Sequence, residues 1–582
     1  MRALCLFGVF VAFKILVLAG RDIPLGVWTP LAYFWQDALV ALLFGAADFA
    51  SRRPRFGWIL YGAVVAYMGL NLAVVRVLST PLTWPMLRAA RGPLADSVFF
   101  YLTASNLLLV ALLLAVAALL PPAAQKLRPR WTAVAAVVAV ALVVAGPQAA
   151  RRIETLGLER NPLFALATSA LPRTAQLATD APPGRDPSRL WRNSPLPSGT
   201  GRDDLSSYRG AAAGRNVILV GLESVAAQYL LSYGADLDLT PNLSRLARQS
   251  ILFENAYAAY PESIKGLFSV LCSTFPIMDT EPELYAGVSR VSVAERLQQA
   301  GYRTGLFHSG RFRYLGMESI IRNRGYQTLE DAGAIEGNHE SSFGVEEFAT
   351  VRRILSWIDT DRSRRFFVTY LPIAGHHPYE TPKRGPFPEP DEMGRYRNAL
   401  LYADAALGTL IAGLRQRGLE DETLWVIYGD HGEAFGQHAG NFGHTFFLYD
   451  ENVRVPLLLA APGIVNKQHR VERVASLVDV APTLLDLVGL DASPSNSDGH
   501  SLLDPRATMA LFFTDYSLRL VGLRDGDWKF IHELDSGHSK LFDLQSDPAE
   551  QHDLSMQHPA RAESYRRHLL GWSRGQGSGV RG

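Results

Sequence analysis

The first 150 residues constrain the fold most strongly, because they contain five long apolar runs, whereas the rest of the chain has a soluble composition with frequent Gly and Pro. The runs cover residues 3–20, 26–47, 57–78, 97–120 and 131–147. Each is close to the roughly 20 residues that an α-helix needs to cross the hydrocarbon core of a bilayer. The sequence therefore predicts an N-terminal bundle of five transmembrane helices over residues 1–150.

The first run alone would also suit a cleaved signal peptide. Four further apolar runs follow it, and this favours a retained helix.

Basic residues in the short connections predict the orientation of the bundle. They are concentrated in the second and fourth connections: Arg52, Arg53, Arg55, Lys126, Arg128 and Arg130, against Arg21, Arg88 and Arg91 in the first and third. The positive-inside rule then puts the N-terminus in the cytoplasm, and five spans put the large remainder outside. Arg151 and Arg152, after the last run, oppose this mildly. We expect a multi-pass protein of the cytoplasmic (inner) membrane with a periplasmic or extracytoplasmic domain.

Charge and cysteine content exclude some classes of protein. The formal net charge of +1 gives no indication of a nucleic-acid partner. The two cysteines, Cys5 and Cys272, do not suggest a disulfide framework.

Residues 151–213 show a weaker pattern and include the Pro/Gly-containing segments 182–184 and 193–199. Such composition is typical of a stem or linker, here lying along the membrane face.

Residues 214–550 alternate between strand and helix patterns. The predicted strands are 216–221, 303–307, 366–371, 423–428 and 455–460, and the predicted helices are 241–249, 263–273, 291–300, 344–359, 394–417 and 479–489. This alternation predicts an α/β domain with a mainly parallel sheet between helices. A small antiparallel hairpin, formed by 528–531 and 541–544, is expected at its end, followed by a tail over 551–582.

Polar side chains that suit a metal follow two of these strands. Asp430 and His431 come directly after strand 423–428, and Glu223 follows strand 216–221. Ligands of open α/β sheets bind beyond the carboxyl ends of strands. Ser263 begins a predicted helix, where the helix dipole, free backbone N–H groups and a nearby metal favour a nucleophilic alkoxide. Each residue also has an ordinary structural interpretation: Ser263 as a helix N-cap, Glu223 as a loop acid and His431 as a packed core side chain.

The order of motifs adds a family resemblance. The motifs are NVILVGLES from 216, TPNLSRLARQSILFENAYA from 240, Ser263 with Ser269-Val270-Leu271, HHPY from 376, GDHGE from 429 and LFDLQSDPAEQHDL from 541. In this order they resemble the sulfatase branch of the alkaline phosphatase superfamily. The resemblance implies that Glu223, Ser263, Asp430 and His431 bind one divalent metal and that the Ser263 hydroxyl forms a covalent intermediate.

Departures from the family pattern narrow the expected chemistry. Lys265 and Leu267 stand where sulfatases have the Pro and Arg required to convert the nucleophile to formylglycine. Glu223-Ser224 replaces the paired Asp with which sulfatases hold calcium. We therefore expect phosphoryl chemistry with Mn²⁺ or Zn²⁺ in preference to Ca²⁺ or Mg²⁺.

The resemblance also implies a substrate pocket. His376 matches the substrate-side His of the family, and His308 matches a pocket His of the lipoteichoic acid synthase-like enzymes. His438, His444, Lys265, Arg311 and Arg313 are further candidates for substrate contacts. The residues that grip glycerol phosphate in lipoteichoic acid synthases are replaced by Gly310, Leu315 and Met317, so the donor head group stays open.

Three functions are compatible with these features. The first is transfer of a phosphoglycerol or phosphoethanolamine head group from a membrane phospholipid to an envelope glycan or lipid, through a covalent intermediate on Ser263. The second is a membrane-bound sulfatase or phosphatase. The third is a non-catalytic, lipid-binding membrane protein.

Overall fold

A computed structural model of the chain describes residues 1–21, 23, 26–89, 101–126, 128–171, 204–338, 343–491, 497–505 and 509–576. Parts of some sequence predictions lie outside these residues: the start of the fourth apolar run (97–100), Arg91, the segments 182–184 and 193–199, and the end of the tail (577–582).

Six helices form the N-terminal part that the structure describes: α1 Arg2–Leu18, α2 Thr29–Ser51, α3 Pro54–Leu78, α4 Trp84–Ala89, α5 Ala104–Ala124 and α6 Pro129–Ala150. Among the described residues, α2, α3, α5 and α6 are long and apolar enough to cross a membrane. Helix α1 has 17 residues and is therefore about 26 Å long. The predicted count of five spans is thus not confirmed, although Leu6, Val9 and Phe10 of α1 lie buried in the bundle core.

Contacts between helix ends show how the helices of the bundle are oriented relative to one another. Arg2 and Asp48 form an ion pair at 2.7 Å, which joins the start of α1 to the end of α2. Arg21 donates to Ser79 Oγ at 2.9 Å, which joins the segments that follow α1 and α3. Gly8, near the start of α1, lies against Leu120, near the end of α5, and Gly146, near the end of α6, lies against Trp35, near the start of α2. Consecutive long helices therefore run in alternating directions.

A buried charged group ties the segment after α6 to the bundle. Lys14 Nζ donates to the carbonyl oxygens of residues 158, 159 and 160 at 3.0–3.2 Å and lies 3.5 Å from Asp37 Oδ2. Asp37 accepts from Asn161 Nδ2 at 2.7 Å. The described beginning of the predicted stem is thus packed against the bundle, and it ends in helix α7, Pro162–Ser169.

An eight-stranded sheet forms the centre of the large domain. Its strands are β1 Asn216–Leu222, β2 Ser250–Tyr257, β3 Arg303–His308, β4 Thr328–Glu330, β5 Phe366–Leu371, β6 Thr423–Gly429, β9 Arg454–Ala460 and β10 His469–Ser476. Their order is β10-β2-β9-β6-β1-β5-β3-β4. Every described pairing is parallel except those of β9 with β2 and β6. The predicted mainly parallel sheet is confirmed.

Helices cover both faces of this sheet. They are α8 Pro241–Ala247, α9 Ser263–Cys272, α10 Val293–Gln299, α11 Glu318–Ile321, α12 Glu347–Asp359, α13 Glu392–Gln416, α14 Asp450–Val453 and α15 Val480–Leu487. Strand β1 is buried along its whole length. Val217 and Leu219 face the core that contains α9, whereas Ile218 and Val220 face the core that contains α12 and α13. A strand buried on both sides has the continuous apolar sequence seen here.

Three strands of the sheet were not predicted. Strand β2 carries Glu254 and Asn255 in its centre, and β10 alternates charged and apolar residues, with Arg470 and Glu472 exposed. Strand β4 has only three residues. The apolar runs are therefore too short or too interrupted to indicate strands by themselves.

The C-terminal region forms a larger unit than the predicted hairpin. Strands β11 Met509–Thr514, β12 Leu520–Asp525, β13 Trp528–Glu533 and β14 Ser539–Asp543 make a four-stranded antiparallel sheet. The predicted hairpin is present as β13 paired with β14, but β11 and β12 were not predicted, and in β12 Gly522 and Arg524 interrupt the apolar pattern. Helix α16, Pro559–Gln576, buries Tyr565, Leu569 and Trp572 against this sheet. The small β7 and β8, Ala434–Phe435 and Phe442–Gly443, pair in the loop after β6.

The turn after β5 lies directly against the end of β1. A Cβ atom built on Gly375 would lie 2.0 Å from the carbonyl oxygen of Glu223, which is far inside van der Waals contact. Only glycine therefore allows these two backbone segments to approach so closely.

We predict that Gly375→Ala lowers the free energy of unfolding by about 1–3 kcal/mol, since the added methyl group forces two packed segments apart. Thermal unfolding of the detergent-solubilised protein measures the change. Gly287→Ala is the matched control, because a Cβ atom there meets nothing within 4 Å. Equal melting temperatures for the two variants would contradict the packing described.

Candidate metal and nucleophile site

Two carboxylates emerge side by side from neighbouring parallel strands. Leu222 of β1 pairs with Gly429 of β6, so the residues that follow, Glu223 and Asp430, lie at the same edge of the sheet. Asp430 Oδ1 accepts from the backbone N–H groups of Ser224 at 2.9 Å and His431 at 2.7 Å. These bonds fix the Asp430 carboxylate and leave Oδ2 directed toward His431, whose Nε2 is 3.6 Å away.

The backbone after β1 adopts a strained conformation to present Glu223. Ser224 has φ +60°, a left-handed conformation that non-glycine residues rarely adopt and that clusters at functional sites. Tyr396 stabilises it by donating from its hydroxyl to the Ser224 carbonyl oxygen at 2.7 Å. The Ser224 hydroxyl in turn donates to Glu223 Oε1 at 3.0 Å.

Ser263 is the first residue of α9 and points into the same cluster. Its Oγ donates to Glu223 Oε2 at 2.9 Å and lies 3.2 Å from His431 Nε2. The N-cap is Glu262, whose carboxylate accepts from the N–H groups of Ile264 and Lys265 at 2.9 and 3.0 Å. The N-cap interpretation of Ser263 is therefore wrong, and two of the N–H groups expected to be free for a substrate are engaged by Glu262.

His431 presents one ring nitrogen to the cluster. Its Nδ1 hydrogen-bonds the Gly432 carbonyl oxygen at 2.9 Å, so Nε2 carries the lone pair of the neutral ring. This arrangement is typical of metal-binding histidines. Ligand atoms of Glu223, Asp430 and His431 all lie within 4.8 Å of one another.

The charges of the cluster favour a cation. Burial, and then the neighbouring Asp430, raise the pKa of Glu223 well above its ordinary value. Burial lowers the pKa of His431 and keeps the ring in the neutral form that binds metals. Two buried carboxylates, a neutral imidazole and a hydroxyl therefore fit a divalent cation, which would offset the repulsion between the acids.

Two further histidines lie near this cluster. The His444 ring stacks on His431 with centroids 3.9 Å apart, and the His376 ring lies 6.5 Å from His444. His376 Nδ1 hydrogen-bonds the His377 carbonyl oxygen at 2.7 Å. Burial lowers the pKa of both His376 and His444 to about 4, so both rings are neutral at pH 7.

His308 is the last residue of β3. Like His376, it is hydrogen-bonded to a backbone carbonyl oxygen through Nδ1. Its Nδ1 hydrogen-bonds the Leu371 carbonyl oxygen at 3.0 Å, and burial lowers its pKa to about 4. Arg311 and Arg313 lie on the segment that follows; Arg311 is half-buried and Arg313 is exposed.

Two polar residues near the centre were not predicted as site residues. Glu433 accepts from the Tyr379 hydroxyl and from His444 Nδ1, both at 2.7 Å, and burial raises its pKa to about 7. His431, Glu433 and His444 form a second group whose ligand atoms lie within 4.8 Å. Glu433 and Tyr379 belong to the GDHGE and HHPY motifs, so their positions within those motifs were the available signal.

His438 and Lys265, which were predicted to contact the substrate, form contacts with other residues of the protein. His438 Nδ1 lies 2.6 Å from Glu451 Oε1, and its Nε2 lies 3.1 Å from the Glu550 carbonyl oxygen. Lys265 is buried, with Nζ 3.6 Å from Asp515 Oδ1 and 4.9 Å from the centre of the Tyr260 ring. Lys265 thus anchors α9 to the loop after β11.

Comparison with known proteins identifies two family matches. Residues 215–490 match the sulfatase family, and residues 436–567 match the family described as N-sulphoglucosamine sulphohydrolase, C-terminal. Arylsulfatase K of Canis lupus familiaris is 25% identical over 444 residues, covering 60% of this chain and 82% of that protein. Lipoteichoic acid synthase 2 of Bacillus subtilis (strain 168) is 24% identical over 316 residues, covering 51% of this chain and 48% of that protein.

Solved structures show the same fold. The lipoteichoic acid synthase LtaP from Listeria monocytogenes aligns with a TM-score of 0.53 at 20% identity, covering 66% of this chain and 96% of that chain. A protein in the alkaline phosphatase superfamily from Vibrio parahaemolyticus aligns with a TM-score of 0.52 at 21% identity, covering 63% and 88%. Residues 215–490 therefore form a sulfatase family domain whose relatives are enzymes, and the large domain has the same fold as these solved structures.

Proposed function

We propose that this protein is a membrane-anchored, metal-dependent phosphoryl-ester transferase or hydrolase. Its substrate is a phospholipid, from which it moves a phosphoglycerol or phosphoethanolamine head group to an envelope glycan or lipid acceptor, or to water. The catalytic unit is residues 214–550, and Ser263 is the nucleophile.

One observation carries this proposal: the Ser263 hydroxyl lies 2.9 Å from Glu223 Oε2 and 3.2 Å from His431 Nε2. A hydroxyl held between a carboxylate and an unprotonated imidazole nitrogen is placed to lose its proton and attack. When bound, a divalent cation supplies Lewis-acid stabilisation of the developing charge and lowers the pKa of the hydroxyl. Glu223, Asp430, His431 and Ser263 would hold it, and Mn²⁺ or Zn²⁺ suits this donor set.

The reaction has two half-steps that balance. In the first, a bond forms between Ser263 Oγ and phosphorus, the bond from phosphorus to the diacylglycerol oxygen breaks, Oγ loses its proton and the departing oxygen gains one. In the second, a bond forms between the acceptor oxygen and phosphorus, the bond from phosphorus to Ser263 Oγ breaks, the acceptor hydroxyl loses its proton and Ser263 Oγ gains one. Neutral His376 and His444 face this space as hydrogen-bonding groups.

The membrane helices support a lipid substrate. The ends of the bundle near Ser79 and Ala150 contact the large domain: Gly440 approaches Ser79, and His538 Nε2 hydrogen-bonds the Ala150 carbonyl oxygen at 2.9 Å. The basic loops at 52–55 and 126–130 follow the opposite ends of the helices. With α1 as a fifth span, the positive-inside rule puts those loops in the cytoplasm and the catalytic domain outside.

A membrane-bound sulfatase is the second candidate, because the relatives include an arylsulfatase K and a choline-sulfatase. Lys265 and Leu267, at the positions of the Pro and Arg required for formylglycine, argue against it. The third hypothesis, a non-catalytic lipid-binding protein, conflicts with the presence of all four side chains that would hold the cation.

Mass spectrometry of the peptide that contains Ser263 separates the first two candidates. We expect unmodified serine, since the residues needed for conversion are absent. Formylglycine at this position in the purified protein would instead establish sulfatase chemistry.

We predict that Ser263→Ala lowers turnover more than about 1000-fold, because the nucleophile is lost, while folding and most of the bound cation persist. Ser269→Ala is the matched control: Ser269 lies in the same helix, roughly 9 Å along its axis, and its buried hydroxyl has no hydrogen-bond partner among the described residues. The measurement is release of diacylglycerol from labelled phospholipids. Equal losses in the two variants would contradict the assignment.

Removal of the metal should abolish turnover, and Mn²⁺ or Zn²⁺ should restore it. Glu223→Gln and Asp430→Asn should each lower the bound cation below the level of the unmodified protein, as measured by elemental mass spectrometry. Glu254→Gln is the control, because Glu254 lies in an ion pair with Arg470 on the sheet edge. A cation content that is unchanged in all three variants would exclude this ligand set.

A further inference from the structure

Tyr101 lies in the part of the chain that precedes the large domain, here called the membrane-side part (the described residues of 1–171). It reaches the turn that carries His376. Tyr101 precedes α5, and its ring stacks on His377 with centroids 5.3 Å apart and planes within 5°. The Tyr101 hydroxyl lies 3.2 Å from His377 Nε2. Burial, with a smaller contribution from His376, lowers the pKa of His377 to about 3. The ring is therefore neutral, and its Nε2 can accept the hydrogen bond.

His377 in turn holds His376. The His377 carbonyl oxygen accepts from His376 Nδ1 at 2.7 Å, which fixes the orientation of the His376 ring. Two residues on, Tyr379 has φ +64°, a conformation that needs support from its surroundings. Its hydroxyl donates to Glu433 at 2.7 Å. The turn is thus held on one side by Tyr101 and on the other by Glu433.

The loop after β6 also rests on the membrane-side part. A Cβ atom on Gly440 would lie 2.7 Å from Ser79 Oγ and 3.3 Å from Arg21. Met86 belongs to the same apolar cluster as Phe446 and Phe447, which follow His444. The turn that carries His376 and the loop after β6 that carries His444 therefore both contact residues of the membrane-side part.

We propose that Tyr101 is a positioning residue: it sets the orientation of the His376–Tyr379 turn, so that the reaction centre is complete only when the membrane-side part is docked on the catalytic domain. This inference rests on the proposed function, since it assigns Tyr101 to the same reaction. Tyr101 acts through its ring contact and its hydrogen bond with His377.

The test compares Tyr101→Ala with Tyr101→Phe in the full-length protein, using hydrolysis of bis(4-nitrophenyl) phosphate. A small displacement of a positioned group costs up to about 100-fold in rate. We expect Tyr101→Ala to lower kcat about 10- to 100-fold with little change in KM. Tyr101→Phe keeps the stacked ring and should recover most of the loss. Leu102→Ala is the matched control, because this neighbouring side chain is exposed.

Two further readouts separate positioning from general damage. Cation content and melting temperature should be the same in Tyr101→Ala, Tyr101→Phe and the unmodified protein, because the ligands Glu223, Asp430 and His431 are untouched. A kcat for Tyr101→Ala equal to that of Leu102→Ala would overturn the proposal. So would a parallel loss of bound cation or a fall in melting temperature that accounts for the lost activity.

Ser263→Ala is assayed in parallel. It distinguishes failure of the Tyr101 proposal from failure of the proposed function. If Ser263→Ala is inactive and Tyr101→Ala is fully active, only the positioning role is wrong. If Ser263→Ala retains the turnover of the unmodified protein, the proposed function is wrong, and the Tyr101 proposal fails with it.

Discussion

The site depends on the proximity of two buried carboxylates at the ends of neighbouring parallel strands. Pairing of β1 with β6 places Glu223 beside Asp430, and burial, followed by the repulsion from Asp430, raises the pKa of Glu223. Such an arrangement is unfavourable unless a proton or a cation is shared between them. The surrounding residues are arranged to tolerate it: backbone N–H groups bind Asp430, and hydroxyl groups of Ser224 and Ser263 bind Glu223.

The same constraint explains the positions of the proposed nucleophile, Ser263, and of the neighbouring histidines. Helix α9 begins at Ser263 because Glu262 caps its first turn, and this directs the Ser263 hydroxyl toward the acids. The turn after β5 packs on the end of β1 through Gly375 and thereby brings His376 to the same edge of the sheet. Tyr101, which precedes α5, packs on that turn, so the candidate site lies where the N-terminal helices and the large domain meet.

The sequence indicated the parts of this structure that depend on local patterns. Strands β1, β5 and β6 are continuous apolar runs because both of their faces are buried, and the polar residues that end β1 and β6 mark the site. Strands β2, β10 and β12 were missed because polar residues or glycine interrupt them and long-range pairing stabilises them. Contacts between distant segments, such as Tyr101 with His377 or Lys265 with Asp515, have no local signal. The roles of Lys265 and His438 therefore could not be predicted from residue type.

In the proposed function, Ser263 becomes covalently modified through phosphorus during turnover. Rapid acid quenching of the full-length, Mn²⁺- or Zn²⁺-loaded protein with a labelled phospholipid, followed by peptide mass spectrometry, tests it most directly. We expect a head-group phosphodiester on Ser263 that appears before the modified acceptor and is absent from Ser263→Ala. A labelled adduct mapped to Ser269 or another residue, or turnover with no adduct at any quench time, would contradict it.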